Sequence, residues 1–306
     1  MIRLRSIMQI STIFIVSIGF TIFTSFGQEG NSAVKGVSKI DFLNTLDSLF
    51  HEDELTPIIT ICNGSQPDYL IPICNSNLIA VYYFLGDSVK SWNLLDREIK
   101  PAKGYPDAYS LAEDILTRDQ ASFKKFLRAS TAKDYILRYI DSFYMTELVY
   151  DKKNGLELLH LLVEDQWVRN TSSLYDYFKA ERKYLLSSLM DSMQAIQAQR
   201  DHSTKVFNFY KNKNKVFARA EVGRIYYWQL MLFFHDWDLE RRKFYHQLVI
   251  DGVESGALKM EDRANFEAGT EYILLGVDEF FKQRATIEES YKIKYSLPET
   301  YRIRLM

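Results

Sequence analysis

The chain has 306 residues, 47% of them hydrophobic and 25% charged, which are the proportions of a folded globular protein rather than a disordered one. Its 38 Lys and Arg against 40 Asp and Glu give a formal charge of −2. No positive surplus is available to neutralise phosphates, which argues against a nucleic-acid partner. Aromatic residues reach 14%, enough for a thick core and aromatic helix edges.

The N-terminus carries Arg3 and Arg5, then an apolar run over 7–26, then Ser25, Phe26 and Gly27 before Gln28. A basic start, an apolar middle and small residues at the cleavage point make a secretory signal peptide over 1–27. The rival is an uncleaved anchor, since about 20 apolar residues can span the hydrocarbon core. Either way the body is exported, to the periplasm or beyond, and loss of the leader takes the charge from −2 to −4. A flexible lead-in is predicted over 28–37.

Ser38 sits where a helix cap belongs, ahead of Ile40, Phe42, Leu43, Leu46 and Leu49 at helical spacing. Over 57–85 the texture changes. Two short β-branched stretches around Cys62 and Cys74 flank a turn-forming NGSQPD, and Pro72 disfavours a regular central strand. An exported chain with two cysteines eleven residues apart predicts a Cys62–Cys74 disulfide. It would clasp an irregular loop with little or no strand. The break around Lys100, Pro101, Gly104 and Pro106 divides a small N-terminal section, 38–104, from a helical bundle domain, 105–306.

Beyond that break, helices are predicted near 107–117, 119–129, 132–151, 155–168, 172–211, 215–254 and 262–290. Lys211, Lys213 and Lys215 with Asn212 and Asn214 form a solvated turn between two long antiparallel helices. The helix over 215–254 is the centre of the design. Tyr226, Leu230, Phe233, Trp237, Phe244 and Leu248 fall on one side, and Met231 and Phe234 widen that stripe until other helices must sheath it. The fold class is therefore mainly α, an irregular multi-helix bundle.

Chemistry-bearing residues are sparse. His235, Asp238, Arg242 and His246 lie at i, i+3, i+7 and i+11, one face of that helix. A histidine and a carboxylate one turn apart can poise a general base or hold a divalent metal, with Arg242 receiving an anion. Glu157 and His160 form one Glu-x-x-His, half of what a carboxylate-bridged metal site in a helical bundle needs. Glu254 and Ser255, with Asn265, Ala268, Gly269 and Tyr272 following, resemble the catalytic Glu-Ser and a late helix of lytic transglycosylases. That resemblance makes Glu254 a candidate general acid. Only ten positions separate Ser255 from Asn265, fewer than that family interposes, and the likeness covers some twenty residues. No nucleotide, phosphate or zinc-protease motif is present and no cofactor is implied. The leading expectation is an exported, non-enzymatic binding protein of the cell envelope, meeting a protein partner or a small apolar ligand. An envelope hydrolase or metal-dependent enzyme, and a membrane-tethered structural protein, are the rivals.

Overall fold

A computed structural model of the chain describes residues 38–99, 104–118, 120–171 and 186–304. The predicted leader, the lead-in and the 172–185 part of the longest predicted helix lie outside the described residues. Those residues form a multi-helix bundle, and no strand occurs among them. Among them, too, no helix is long and apolar enough to cross a membrane.

The N-terminal section is helical throughout. Helix α1, Lys39–His51, starts on Ser38, whose hydroxyl accepts from the Asp41 amide at 3.1 Å, and it buries Phe42 and Leu46. Helix α2, Leu55–Asn63, buries Ile58 and Cys62. A single 3-10 turn, Asp68–Leu70, leads into α3, Ile71–Phe84. The stretch predicted as a disulfide-clasped irregular loop is thus two helices. The reason lies in where the prolines sit: Pro57 and Pro72 occupy the first turns of α2 and α3, where the missing N–H costs nothing and the fixed φ favours helix. β-Branched content gives way to packing, because α3 is buried on almost every side, from Ile73 and Cys74 through Val81. Its buried polar groups are answered locally: Asn77 Nδ2 donates to the Ile73 carbonyl, Ser122 donates to Asn77 Oδ1 at 2.7 Å, and Ser91 donates to the Ile79 carbonyl.

Cys62 and Cys74 are neighbours across α2 and α3, but both thiols are free and buried, so the predicted disulfide is absent. The Cys74 thiol beside it and burial both push the Cys62 thiol upward, away from the reactive thiolate.

Helices α4, Ser88–Ile99, α5, Ala108–Leu116, α6, Ala121–Leu127, and α7, Ser130–Tyr144, come next, followed by the long α8, Lys152–Thr171. Leu158, Leu159, Leu162 and Val163 of α8 are sealed, each burial contributing roughly 1.5–3 kcal/mol. The described part of α9, Leu186–Lys213, lies against α8. It ends at Asn214, whose left-handed backbone (φ 51°) lets its amide reach the Tyr210 carbonyl at 2.7 Å. Ile79, Ala80, Leu95 and Ile99 share one hydrophobic core with residues from Ala108 to Phe266.

The predicted central helix, 215–254, is not one helix. It runs as α10, Arg219–Val222, a 3-10 segment Gly223–Trp228, α11, Gln229–Phe234, and α12, Leu239–Glu254. Two local causes break it. Gly223 has φ 75°, and Asp238 turns its side chain back to accept from the amides of Glu240 and Arg241, capping a fresh helix. The stripe nevertheless is sheathed as predicted at Leu230, Met231, Phe233, Phe234 and Leu248, because the pieces fold into one core. Trp237 departs from it and stands 66% exposed. The predicted helix over 262–290 also divides, into α13, Met260–Leu275, and α14, Val277–Tyr295, at Gly276 with φ 78°.

Candidate functional site

The breaks in 215–254 scatter the predicted catalytic face. Asp238 is a helix cap. His246 turns to Glu267 on α13, Nε2 to Oε1 2.8 Å. That glutamate also meets Arg263, Lys294 and Tyr295, which outweigh the upward push of burial and hold it at about 2. Arg242, offered as an anion receiver, is 2% exposed. Its guanidinium donates to the carbonyls of Phe233, Asp236 and Phe266 and to the Thr270 hydroxyl, over the Phe266 ring. It closes the open C-terminal end of α11 and ties α12 to α13. Burial lowers it to about 10, still fully charged at neutral pH. Glu254 is exposed at the last turn of α12. Each of these residues except Glu254 has a structural partner, and the set does not converge.

His235 enters a second, more deeply buried cluster, and its partner comes from α8. Its Nδ1 lies 2.7 Å from Asp165 Oδ2, with Asp165 1% and His235 13% exposed. Arg169 Nε approaches the same oxygen at 3.2 Å. On the other side, His202 of α9 places Nε2 3.7 Å from Asp165 Oδ1 and Nδ1 3.7 Å from Glu164 Oε2. Glu164 in turn meets Lys205 at 2.6 Å. Alternating acid and imidazole therefore run from Lys205 and Glu164 inward to His202, Asp165 and His235, joining α8, α9 and the end of α11. Asp165 Oδ1 and both nitrogens of His202 are buried and lie beyond hydrogen-bond distance of any partner among the described residues.

The electrostatics fix the protonation of the inner pair. Burial alone would raise the Asp165 carboxyl, but His235, Arg169 and His202 outweigh it and hold it at about 2. Burial lowers His235 despite its carboxylate neighbour. An ionised carboxylate only accepts hydrogen bonds, so Nδ1 of a neutral His235 carries the proton and donates to it. Its Nε2 then has the lone pair, the tautomer a general base requires.

Glu164 and Lys205 also border a groove of about 380 Å³ between α8 and α9, with Glu157, His160, Asn208 and Asn212 along it. The predicted Glu157 and His160 therefore share this groove, each with a partner: His160 Nε2 lies 2.7 Å from Asp141, and Glu157 lies 3.5 Å from Lys213. Among the described residues no three of His, Cys, Asp and Glu are grouped so as to hold a metal ion.

Asp165, Glu164 and His202 escaped the sequence reading, although a signal for two of them existed. Leu158, Leu162 and Asp165 follow one helical stripe, as do His202, Val206 and Phe209. A polar side chain on an otherwise apolar stripe is buried and must find a partner.

A second feature is geometric rather than chemical. The loop 145–151 joins α7 to α8 and is held by its backbone, with Tyr150 and Asp151 amides donating to the Ala220 and Glu221 carbonyls at 3.2 and 2.9 Å. Yet Leu148 is 101% and Tyr150 88% exposed, with Met145 at 48% beside them. The chain matches no protein-family model, no curated protein and no solved structure.

Proposed function

We propose that the chain is an exported, non-enzymatic interaction protein of the cell envelope, delivered by its N-terminal leader. The observation that carries the reading is the loop 145–151. Large apolar side chains on a segment pinned by backbone hydrogen bonds are costly to leave in water. Leu148 and Tyr150 alternate with Glu147 and Val149, which turn inward against Gly223, so the backbone itself aims them outward. A photo-crosslinking residue at position 148 in the exported protein tests this. Adducts with an envelope component are expected there, but not with the same residue at exposed Lys243 on α12. Equal labelling at both positions, or none at 148, overturns the reading.

The Asp165–His235 pair favours a second reading, an envelope hydrolase in which His235 is the general base. It requires His235→Gln to abolish a hydrolytic activity of the purified protein while Asp238→Ala and His246→Ala leave that activity in place.

A further inference from the structure

We propose that the loop 145–151 and the basic residues around it form a docking surface for an anionic lipid membrane. The inference rests on the reading of that loop as an interaction surface and names its partner.

The charge at this end of the bundle runs against the rest of the chain. Residues 145–157 and 211–224 contain Lys152, Lys153, Lys211, Lys213, Lys215, Arg219 and Arg224 against Glu147, Asp151, Glu157 and Glu221, in a chain whose total is −2. Topology brings the two stretches together: the 150–151 backbone bonds to 220–221, and Lys213 meets Glu157. Two of the acids are neutralised by pairing and a third is turned away from the surface. Lys215 binds Glu221, Lys213 binds Glu157, and Glu147 turns inward beside Gly223. Exposed Lys153, Lys211 and Arg219 have no acidic partner among the described residues. What faces outward is an apolar apex, Leu148 and Tyr150, with Lys153 and Arg219 close to it along the two bonded stretches and Lys211 on α9, its ammonium over the Phe207 ring.

The shape selects the occupant. A protein hot spot seats an anchor in a pocket and surrounds it with a rim that excludes water. Leu148, exposed to the full extent of its side chain, is the summit of a protrusion that has exposed cations behind it in place of such a rim. An aliphatic and a tyrosine at an apex, with basic side chains set behind, match the layering of a bilayer surface. The aliphatic enters the acyl boundary, the phenol rests at headgroup depth and the cations meet anionic headgroups. Each signal alone is weak, and the two together give reversible attachment.

Co-sedimentation of the exported protein with vesicles tests the proposal. Vesicles are either pure phosphatidylcholine or contain roughly one-third phosphatidylglycerol. Partitioning onto the anionic vesicles is expected to be at least about tenfold stronger and to weaken with salt. Leu148→Ser with Tyr150→Ser should reduce it about tenfold. The triple change Lys153→Gln, Lys211→Gln, Arg219→Gln should bring binding down to the neutral-vesicle level. All five positions are exposed, so circular dichroism and melting temperature should match the parent. Equal binding to both vesicle types, or binding indifferent to both variants, overturns the proposal and assigns attachment to another part of the chain. If vesicles are ignored while the 148 crosslink captures an envelope protein, the lipid inference fails and the interaction reading stands.

Discussion

Asp165 is the residue on which the interior electrostatics turn. It is 1% exposed and stands between His235, Arg169 and His202. Removing one member of a buried charged set is costly because the remaining groups stay desolvated without a counter-charge. Asp165→Asn preserves shape and removes only the charge, leaving Arg169 and His235 facing a neutral amide. Since His235 is neutral and Arg169 is one-third exposed, the loss is that of a charge-assisted hydrogen bond, about 2 kcal/mol, read as a fall of roughly 4–8 °C in the melting midpoint. An unchanged midpoint would mean that the carboxylate is not what holds α8 to the end of α11. Arg242 belongs to the same class of residue. Both are single charges on helical stripes that otherwise read as apolar, and the rule that long charged side chains face water misplaces them. His235 was legible as a candidate from its type and setting; its partner was not, because the contact joins residues 70 positions apart.

At the scale of elements, the decisive positions are glycines and caps. Gly155 lies in the first turn of α8, where alanine would ordinarily stabilise a helix by up to about 1 kcal/mol. Here the sign reverses. A Cβ at that position would come within 1.6 Å of the Tyr144 hydroxyl, which is buried and donates to the Val222 carbonyl at 3.2 Å. Gly155→Ala is expected to destabilise by about 1–3 kcal/mol, as overpacked sites do, and Tyr144→Phe in the same background should recover part of the loss by clearing the oxygen. Denaturant titration of the two variants decides it; a stabilised Gly155→Ala would show that the helix and tyrosine separate freely. The same local chemistry explains which elements could be read in advance. α1 was legible because Ser38 caps it and its apolar spacing is regular. The continuous helix over 215–254 was misread because an apolar stripe keeps its period across a break when both pieces pack on one core. His235, Asp236, Trp237 and Asp238 hold the signal, an Asx cap, but the periodicity of Leu230, Phe233 and Leu248 masks it. Pro72 of α3 misleads in the opposite sense, since a helix-starting proline and a strand-breaking one look alike until the following turn is known.

For the whole molecule, the buried ionisable groups set both edges of the pH range of stability. His235 is held below its ordinary 6.5, so the unfolded chain takes up a proton there that the folded chain refuses. That contribution is fully present above 6.5 and is lost as pH falls below it. Asp165, Glu164 and Glu267 are all held at about 2, below ordinary values of 3.8 and 4.5. Their contribution is present above the ordinary values and is lost as pH drops toward 2. These two acid effects have the same sign and act in sequence, while Glu113, Glu147, Asp236 and Asp262, raised by burial, act in the opposite sense; the decline is therefore shallow below pH 6.5 and steepens below about 4.5, where the depressed carboxylates begin to lose their contribution. At the other edge, burial raises the phenols of Tyr109, Tyr144, Tyr245 and Tyr291. A raised group stabilises below its ordinary value, 10.0 for tyrosine, and ceases to as pH climbs above that value toward the folded one. Melting midpoints across the pH scale should therefore form a plateau from about 7 to 9 with losses on both sides. In Asp165→Asn the steep acid limb should shrink, because Asn has no proton to take up and that carboxylate no longer contributes. His235→Gln isolates the imidazole: if its midpoint falls between pH 7 and 5 by as much as the parent's, His235 is not a neutral, buried imidazole, and the Asp165–His235 pair on which the general-base reading depends is lost with it.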